Sequence, residues 1–399
     1  MIPSLKRPNA LLFILLLAPF VKPVGLDAVP LADKLFLLWK LAALAYMAVA
    51  LLPKLIQPVP KKKPASFIGL IVFWVIYLAG CLRVGADVVT VAVAAVSSLF
   101  VLLLISYEVR IGNGMLLLRA MAILFTACIL AHIASVFLVE LGILNLGEGK
   151  KTPVYLFGMD NYSAFFLYPM LTLVLYYNRL HRGRFGWSGW ALLASTVAIY
   201  LLTRSMTAAG AGLLMILLLL PWRSWKRLPQ IRGVRWMILA MAVFLVLICG
   251  FQIQQLLASM LDAMSKGVTL NSRTIIWDHV LRLIQQRPVF GHGSFTQEQI
   301  YKDYVMYGTT HAHNLLMELL LRTGIVGTIA YLWFLLGFAP IGKRNPLPGA
   351  HGVLMVGLVT QLVLFFMDYY PNITVFYIFM GVLYCSGQFA TRAPEEDKT

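Results

Sequence analysis

The segment His311-Ala312-His313-Asn314 stands immediately before an apolar run that is interrupted by Glu318, Arg322, Gly324 and Gly327. Histidine titrates near neutral pH, with an ordinary pKa of about 6.5, so His313 at such an entrance could take a proton from an attacking hydroxyl. The competing reading is that His313 and Asn314 merely cap the helix that follows. Arg204, in Thr203-Arg204-Ser205, sits on a short turn between two apolar runs. An arginine in mid-membrane costs about 2.5–3.5 kcal/mol on translocon scales, and less near the interface, so Arg204 calls for an anionic partner or for snorkelling toward headgroups. Arg273, in Ser272-Arg273-Thr274-Ile275-Ile276-Trp277, opens an amphipathic stretch. Free N–H groups at a helix start and a guanidinium fork all donate to oxygen, which suits a pyrophosphate; a solvated surface arginine is the alternative.

Asp368, in Met367-Asp368-Tyr369-Tyr370-Pro371, could orient His313 or hydrogen-bond a sugar, while Tyr369 and its neighbours suit either sugar stacking or an interfacial aromatic belt. Asn314, His311, Trp277 and Arg83 complete the expected substrate-binding set. Lys150, Lys151, Asp160 and His292 are assigned to ordinary interfacial solvation. The chain has no Asp-x-Asp pair, no His-x-x-x-His or paired-cysteine spacing, and no Gly-rich phosphate loop ending in Lys-Ser or Lys-Thr. Neither a metal nor a cofactor is therefore expected, and a nucleotide-sugar donor held by metal and an ATP-driven pump are both disfavoured. A cation-rich site instead suits a donor whose leaving group is already a lipid pyrophosphate.

The elements that position these residues follow from composition. With 60% hydrophobic and 12% charged residues, the chain requires the bilayer as solvent. The fold expected is an all-α integral membrane protein with about twelve transmembrane helices, since each crossing takes about 20 apolar residues. Candidate spans lie near 9–26, 31–52, 66–83, 88–107, 115–140, 161–178, 187–203, 207–221, 235–253, 313–340, 350–368 and 372–390. The apolar start is read as a retained first helix. Alternate loops collect Lys61, Lys62, Lys63, Arg110, Arg119, Arg182, Arg184, Arg227, Arg232, Lys343 and Arg344, which by the positive-inside rule makes both termini cytoplasmic. The net charge of +17 is spread over these loops, which excludes nucleic acid as a partner. The four cysteines, Cys81, Cys128, Cys249 and Cys385, fall in apolar runs as packing residues.

The division expected is 1–253 for nine transmembrane helices, 254–312 for one large outer loop with surface helices, and 313–399 for three further spans and a short cytoplasmic tail. Within the loop, Asn271 and Ser272 are placed to cap a helix that ends before Pro288.

These motifs resemble the O-antigen ligase and polymerase superfamily, and within it the O-antigen ligases. His313-Asn314, nine residues, Gly324, two residues and Gly327 is similar to the family's His motif. Arg204 resembles its first arginine, and Arg273 with Trp277, Pro288, Gly291 and Gly293 its second arginine block. The resemblance implies transfer of an O-antigen polysaccharide from undecaprenyl pyrophosphate to the lipid A–core oligosaccharide. It places the work on the periplasmic face of a bacterial inner membrane, without metal; separately, the chain is expected to be monomeric or weakly oligomeric. It also implies that Arg204 and Arg273 hold the diphosphate while His313 acts as general base, with inversion at the anomeric carbon. The rival readings are an O-antigen polymerase and, from another class, a polysaccharide or lipid transporter.

Overall fold

A computed structural model describes residues 9–55, 66–147, 153–220, 231–251, 273–302, 309–337 and 350–389. Asn271, Ser272, Lys150, Lys151 and both chain ends lie outside the described residues. Within them the chain is helical, with one isolated β-bridge, Tyr155 to Gly158.

Each of the twelve apolar runs contains a helix. They are α1 (Ala10–Leu17), α2 (Pro30–Leu55), α3 (Ser66–Val84), α4 (Val88–Arg110), α5 (Gly114–Glu140), α6 (Asp160–Arg182), α7 (Gly186–Leu202), α8 (Met206–Leu219) and α9 (Ile231–Phe251). The stretch between the ninth and tenth runs supplies α10 (Arg273–Gln286) and α11 (Gln297–Tyr301), and the last three runs form α12 (Leu315–Leu336), α13 (Ala350–Met367) and α14 (Thr374–Phe389). Five of them, α3, α4, α5, α12 and α13, are long and apolar enough to cross a membrane by length and composition. Helices α7 and α8, of 17 and 14 residues, fall short of the roughly 20 residues a crossing takes.

The expected first span, 9–26, is not one helix. α1 stops at Leu17 and the chain continues through 3-10 turns at Ala18–Val21 and Val24–Ala28. The cause is Pro19 and Pro23, whose rings remove amide donors and crowd the residue before them.

The core is built by α3 packed on α12, α4 on α14, and α6 between α5 and α13, with α8 also against α13. Helix α6 is buried from Ser163 to Tyr176. α10 lies against α12 and carries Ile276, Trp277 and Val280 inward, as its apolar stripe requires.

α12 is broken inside, and the break decides the geometry of the site. Gly324 has φ 61° and ψ −165°, a conformation open to glycine alone. The interruption frees backbone groups on both sides of it, and the loop after α10 takes them. His292 N–H and Gly293 N–H donate to Leu321 O (2.8 Å) and Arg322 O (2.9 Å), while Ile325 N–H and Val326 N–H donate to Pro288 O (2.8 Å) and Val289 O (3.2 Å). Segment 288–293 is thus strapped into the helix. A Cβ on Gly324 would lie 2.3 Å from Val289 O, and one on Gly293 would lie 2.3 Å from the Gly80 carbonyl carbon of α3.

Candidate active site

The turn before α12 brings the titratable groups together. His313 has φ 52°, the left-handed region, uncommon for a non-glycine residue and enriched at functional sites. Three hydrogen bonds, braced by an ion pair within α12, hold the turn in that shape. Glu318 Oε2 accepts the Ala312 N–H at 2.7 Å, and Trp277 Nε1 donates to Ala312 O at 2.8 Å. Arg322 Nη2 donates to Thr310 O at 2.5 Å, and Arg322 Nε to Glu318 Oε1 at 2.9 Å. Asn314 caps α12 through Oδ1, which accepts Leu316 N–H at 2.9 Å and Met317 N–H at 3.3 Å, while its Nδ2 donates to Phe366 O at 2.9 Å. Arg322 also reaches Gly293 O at 3.2 Å, so the buried Glu318–Arg322 pair links the turn to the strap.

Asp368, beyond the end of α13, is the centre of the cluster. Its Oδ1 lies 3.5 Å from Nδ1 of His311 and 3.5 Å from Nδ1 of His313. Its Oδ2 accepts the Tyr370 phenol at 2.9 Å, and the same phenol contacts His311 Nε2 at 3.1 Å. Tyr162 of α6 packs edge-on to Tyr370 at 4.6 Å between centroids. The neighbouring Asn161 accepts Ser205 Oγ–H at 2.5 Å, so the Arg204 turn stands at the same end of the bundle. Arg204 itself is exposed on that turn, with φ 57°.

Burial would push the Asp368 carboxyl up, but His313, His311 and Tyr370 outweigh it and hold it below the ordinary carboxylate range. Burial pushes His311 below its ordinary range, and Asp368 only partly offsets that. Burial also lowers Arg273, while the charge of Asp368 opposes the drop, which places the guanidinium within electrostatic reach of that carboxylate. At neutral pH the cluster therefore holds an anionic Asp368, a neutral His311 and a cationic Arg273.

The expected site residues do not all converge: Arg204 stays on its exposed turn, and the others differ in their settings. His311, His313, Asp368 and Arg273 gather as above. Trp277 and Asn314 are buried at 0% exposure and act as turn anchor and helix cap, while Tyr369, at 1% exposure, lines a cavity beside the cluster. Arg83 has backbone partners: its Nη2 donates to Gly291 O at 3.0 Å, which steadies the strap. His292, assigned to interfacial solvation, is 8% exposed, with its ring Nε2 2.8 Å from Leu283 O.

Tyr370, Glu318 and Arg322 carry positions in the site that sequence reasoning left without a role. Glu318 and Arg322 were visible as an i, i+4 ionisable pair inside an apolar run, which is itself a functional signal. His311, His313 and Asp368 also form a trio able to hold a metal ion. Motif spacing did not suggest it, because the third group comes from another loop.

Two cavities flank the cluster. One of about 180 Å³ is lined by Asp87, Ser294, His311, Glu318, Arg322 and Tyr370 among others. The other, about 460 Å³, is apolar and lies between α8, α9 and α13, with Met206, Gly210, Met237, Leu362, Phe366 and Met367 in its wall. Met206 follows the Arg204 turn and Met367 precedes Asp368, so this cavity adjoins both.

Residues 162–332 match a family model described as O-antigen ligase. No curated protein matches the chain. The matched segment runs from Tyr162 to α12 and so includes Arg204, Arg273, the strap and His313.

Proposed function

From the membership of the O-antigen ligase superfamily that the match across residues 162–332 supports, we propose that this membrane protein is an O-antigen ligase. It moves a polysaccharide from undecaprenyl pyrophosphate to a hydroxyl of the lipid A–core oligosaccharide on the periplasmic side of the inner membrane. The observation that carries this reading is the placement of His313: Nδ1 lies 3.5 Å from Asp368, and Arg273 is within electrostatic reach of the same carboxylate.

In this mechanism Asp368 accepts the His313 Nδ1 hydrogen, which fixes the tautomer and leaves Nε2 as the proton acceptor. A contact of 3.5 Å is long, and such bonds tighten when substrate arrives. The acceptor sugar's hydroxyl gives its proton to Nε2 as its oxygen attacks the anomeric carbon, and the glycosidic bond to the diphosphate breaks with inversion. Arg204 and Arg273 bind the diphosphate and stabilise the charge that develops on it, so the step itself needs no metal. The apolar cavity beside the Arg204 turn suits the polyprenyl chain that carries this diphosphate.

The test mixes purified protein with lipid-linked O-antigen and rough lipopolysaccharide and looks for capped product on a gel. Capped lipopolysaccharide supports ligation. Ladder growth on the lipid-linked glycan alone indicates a polymerase, and movement of glycan across proteoliposomes without a new glycosidic bond indicates a transporter.

A further inference from the structure

Two ring nitrogens and one carboxylate oxygen converge in the cluster. His311 Nδ1 and His313 Nδ1 are both buried and lack a hydrogen-bond partner, yet each faces Asp368 Oδ1 at 3.5 Å. The two imidazole rings stand 3.9 Å apart between centroids.

The hydrogen bonds around Tyr370 define what His311 presents. A phenol has one hydrogen, and Tyr370 gives it to Asp368 Oδ2 at 2.9 Å. At its other contact, 3.1 Å from His311 Nε2, the phenol oxygen must accept, so Nε2 carries the ring hydrogen. With Nε2 engaged by Tyr370, His311 has Nδ1 left to face the carboxylate oxygen 3.5 Å away. Two unpartnered ring nitrogens converging on one buried carboxylate oxygen form a ready ligand set for a cation.

The spacing matches one kind of cation well. Zinc binds imidazole nitrogen at about 2.0–2.1 Å and carboxylate oxygen at about 2.0–2.2 Å, so adjacent ligand atoms of a tetrahedral site lie about 3.4 Å apart. The two N···O separations are 3.5 Å, and all three donor atoms fall within 4.8 Å of one another. Two imidazoles favour zinc over magnesium or calcium, which prefer all-oxygen shells. The surroundings also resemble those of a metal site: the far nitrogen of His311 donates to Tyr370, which in turn holds the ligating carboxylate.

We propose that His311 Nδ1, His313 Nδ1 and Asp368 Oδ1 bind one zinc-like divalent cation, and that this cation and the glycan transfer compete for His313. The site stands on geometry alone; the competition rests on the reading of His313 as general base. With zinc on Nδ1, the His313 ring hydrogen moves to Nε2, and the nitrogen that would take the hydroxyl proton has no free lone pair. The cation acts as an off-switch that leaves Arg204 and Arg273 free to hold the donor.

The test uses the full chain in detergent, purified without a polyhistidine tag and stripped with chelator. Zn²⁺ alone is titrated against a chromophoric chelator, and the loaded protein is measured by zinc X-ray absorption. One equivalent is expected, with two imidazole neighbours; His311→Ala and Asp368→Asn each weaken binding at least tenfold, and Mg²⁺ does not compete. Zinc is also expected to raise the unfolding temperature of the wild type and not that of His311→Ala, provided the stripped variant unfolds cooperatively. No stoichiometric binding, or binding unchanged in both variants, overturns the site. In the transfer assay, product is expected to fall as zinc occupancy rises and to recover with chelator. Zinc bound with transfer unaffected overturns the competition, whereas a zinc-free enzyme that transfers nothing counts against the ligase reading and leaves the site standing.

Discussion

Glu318 Oε2 accepts the backbone N–H of Ala312 at 2.7 Å, so a buried carboxylate inside α12 grips the turn that carries His313. The same carboxylate is paired with Arg322, whose other nitrogens hold Thr310 O and Gly293 O. An ion pair buried at 4% and 5% exposure, in a helix otherwise apolar, is here the fastener between the histidine turn and the strap.

Breaking this fastener from one side leaves an uncompensated buried charge. Arg322→Ala is expected to cost about 3–5 kcal/mol or to prevent folding, because Glu318 then stands alone. Thermal unfolding in detergent checks it, with Glu318→Gln/Arg322→Met as the comparison. The double variant should recover part of the loss, though not all, since Thr310 O and Gly293 O lose their donor. A single variant as stable as the wild type would remove the pair from this role.

Gly324→Ala is expected to be more damaging than its size suggests. It places a side chain at φ 61°, worth about 1–3 kcal/mol of strain, and drives Cβ to within 2.3 Å of Val289 O. The strap should come away, which limited proteolysis would register as new cleavage near 288–293. Gly210→Ala, where a Cβ meets nothing within 4 Å, serves as the control and should leave the pattern unchanged.

Helix positions were legible in the sequence because apolar runs long enough for a bilayer leave little alternative. The break after Leu17 was legible too, in Pro19 and Pro23, but the run was read by its hydropathy alone. The site was half legible. His313 and Arg273 stand out by type and by position at helix starts. The backbone partners of Trp277 and Asn314 were not legible, because an indole or an amide looks the same whether it meets a sugar or a backbone carbonyl. The pairing of Asp368 with two histidines joins loops far apart in the chain, and one sequence holds no record of that distance.

His311 links pH to stability. Its folded pKa lies below the ordinary 6.5 because of burial, so the unfolded chain binds the proton more readily. Stability should therefore rise with pH through the window below about 6.5 and level off above it. Asp368, also lowered, adds loss only at more acidic pH, as the solution falls through its depressed range. Unfolding temperature measured from pH 7.5 to 5 should decline in the wild type and decline less in His311→Asn. Equal slopes would take His311 out of the effect.

Arg273 should be replaceable by neither alanine nor lysine. A cation that stabilises charge developing on a leaving group is typically worth about 10²–10³ in rate, and lysine lacks the planar fork that meets a diphosphate with two hydrogen bonds. Both variants are expected to lower transfer about a hundredfold at saturating donor. Arg273→Lys at near wild-type rate would reduce the guanidinium to a general positive charge.

Transfer by His313→Asn in the reconstituted assay tests the base most directly, because asparagine tolerates the left-handed backbone of residue 313 where alanine is strained. A positioned base contributes about 10²–10⁴ in rate, so capped lipopolysaccharide should fall at least a hundredfold while the protein remains folded and the donor still binds. If His313→Asn keeps more than a tenth of wild-type transfer, the proton goes elsewhere and the mechanism built on the Asp368–His313 contact is wrong.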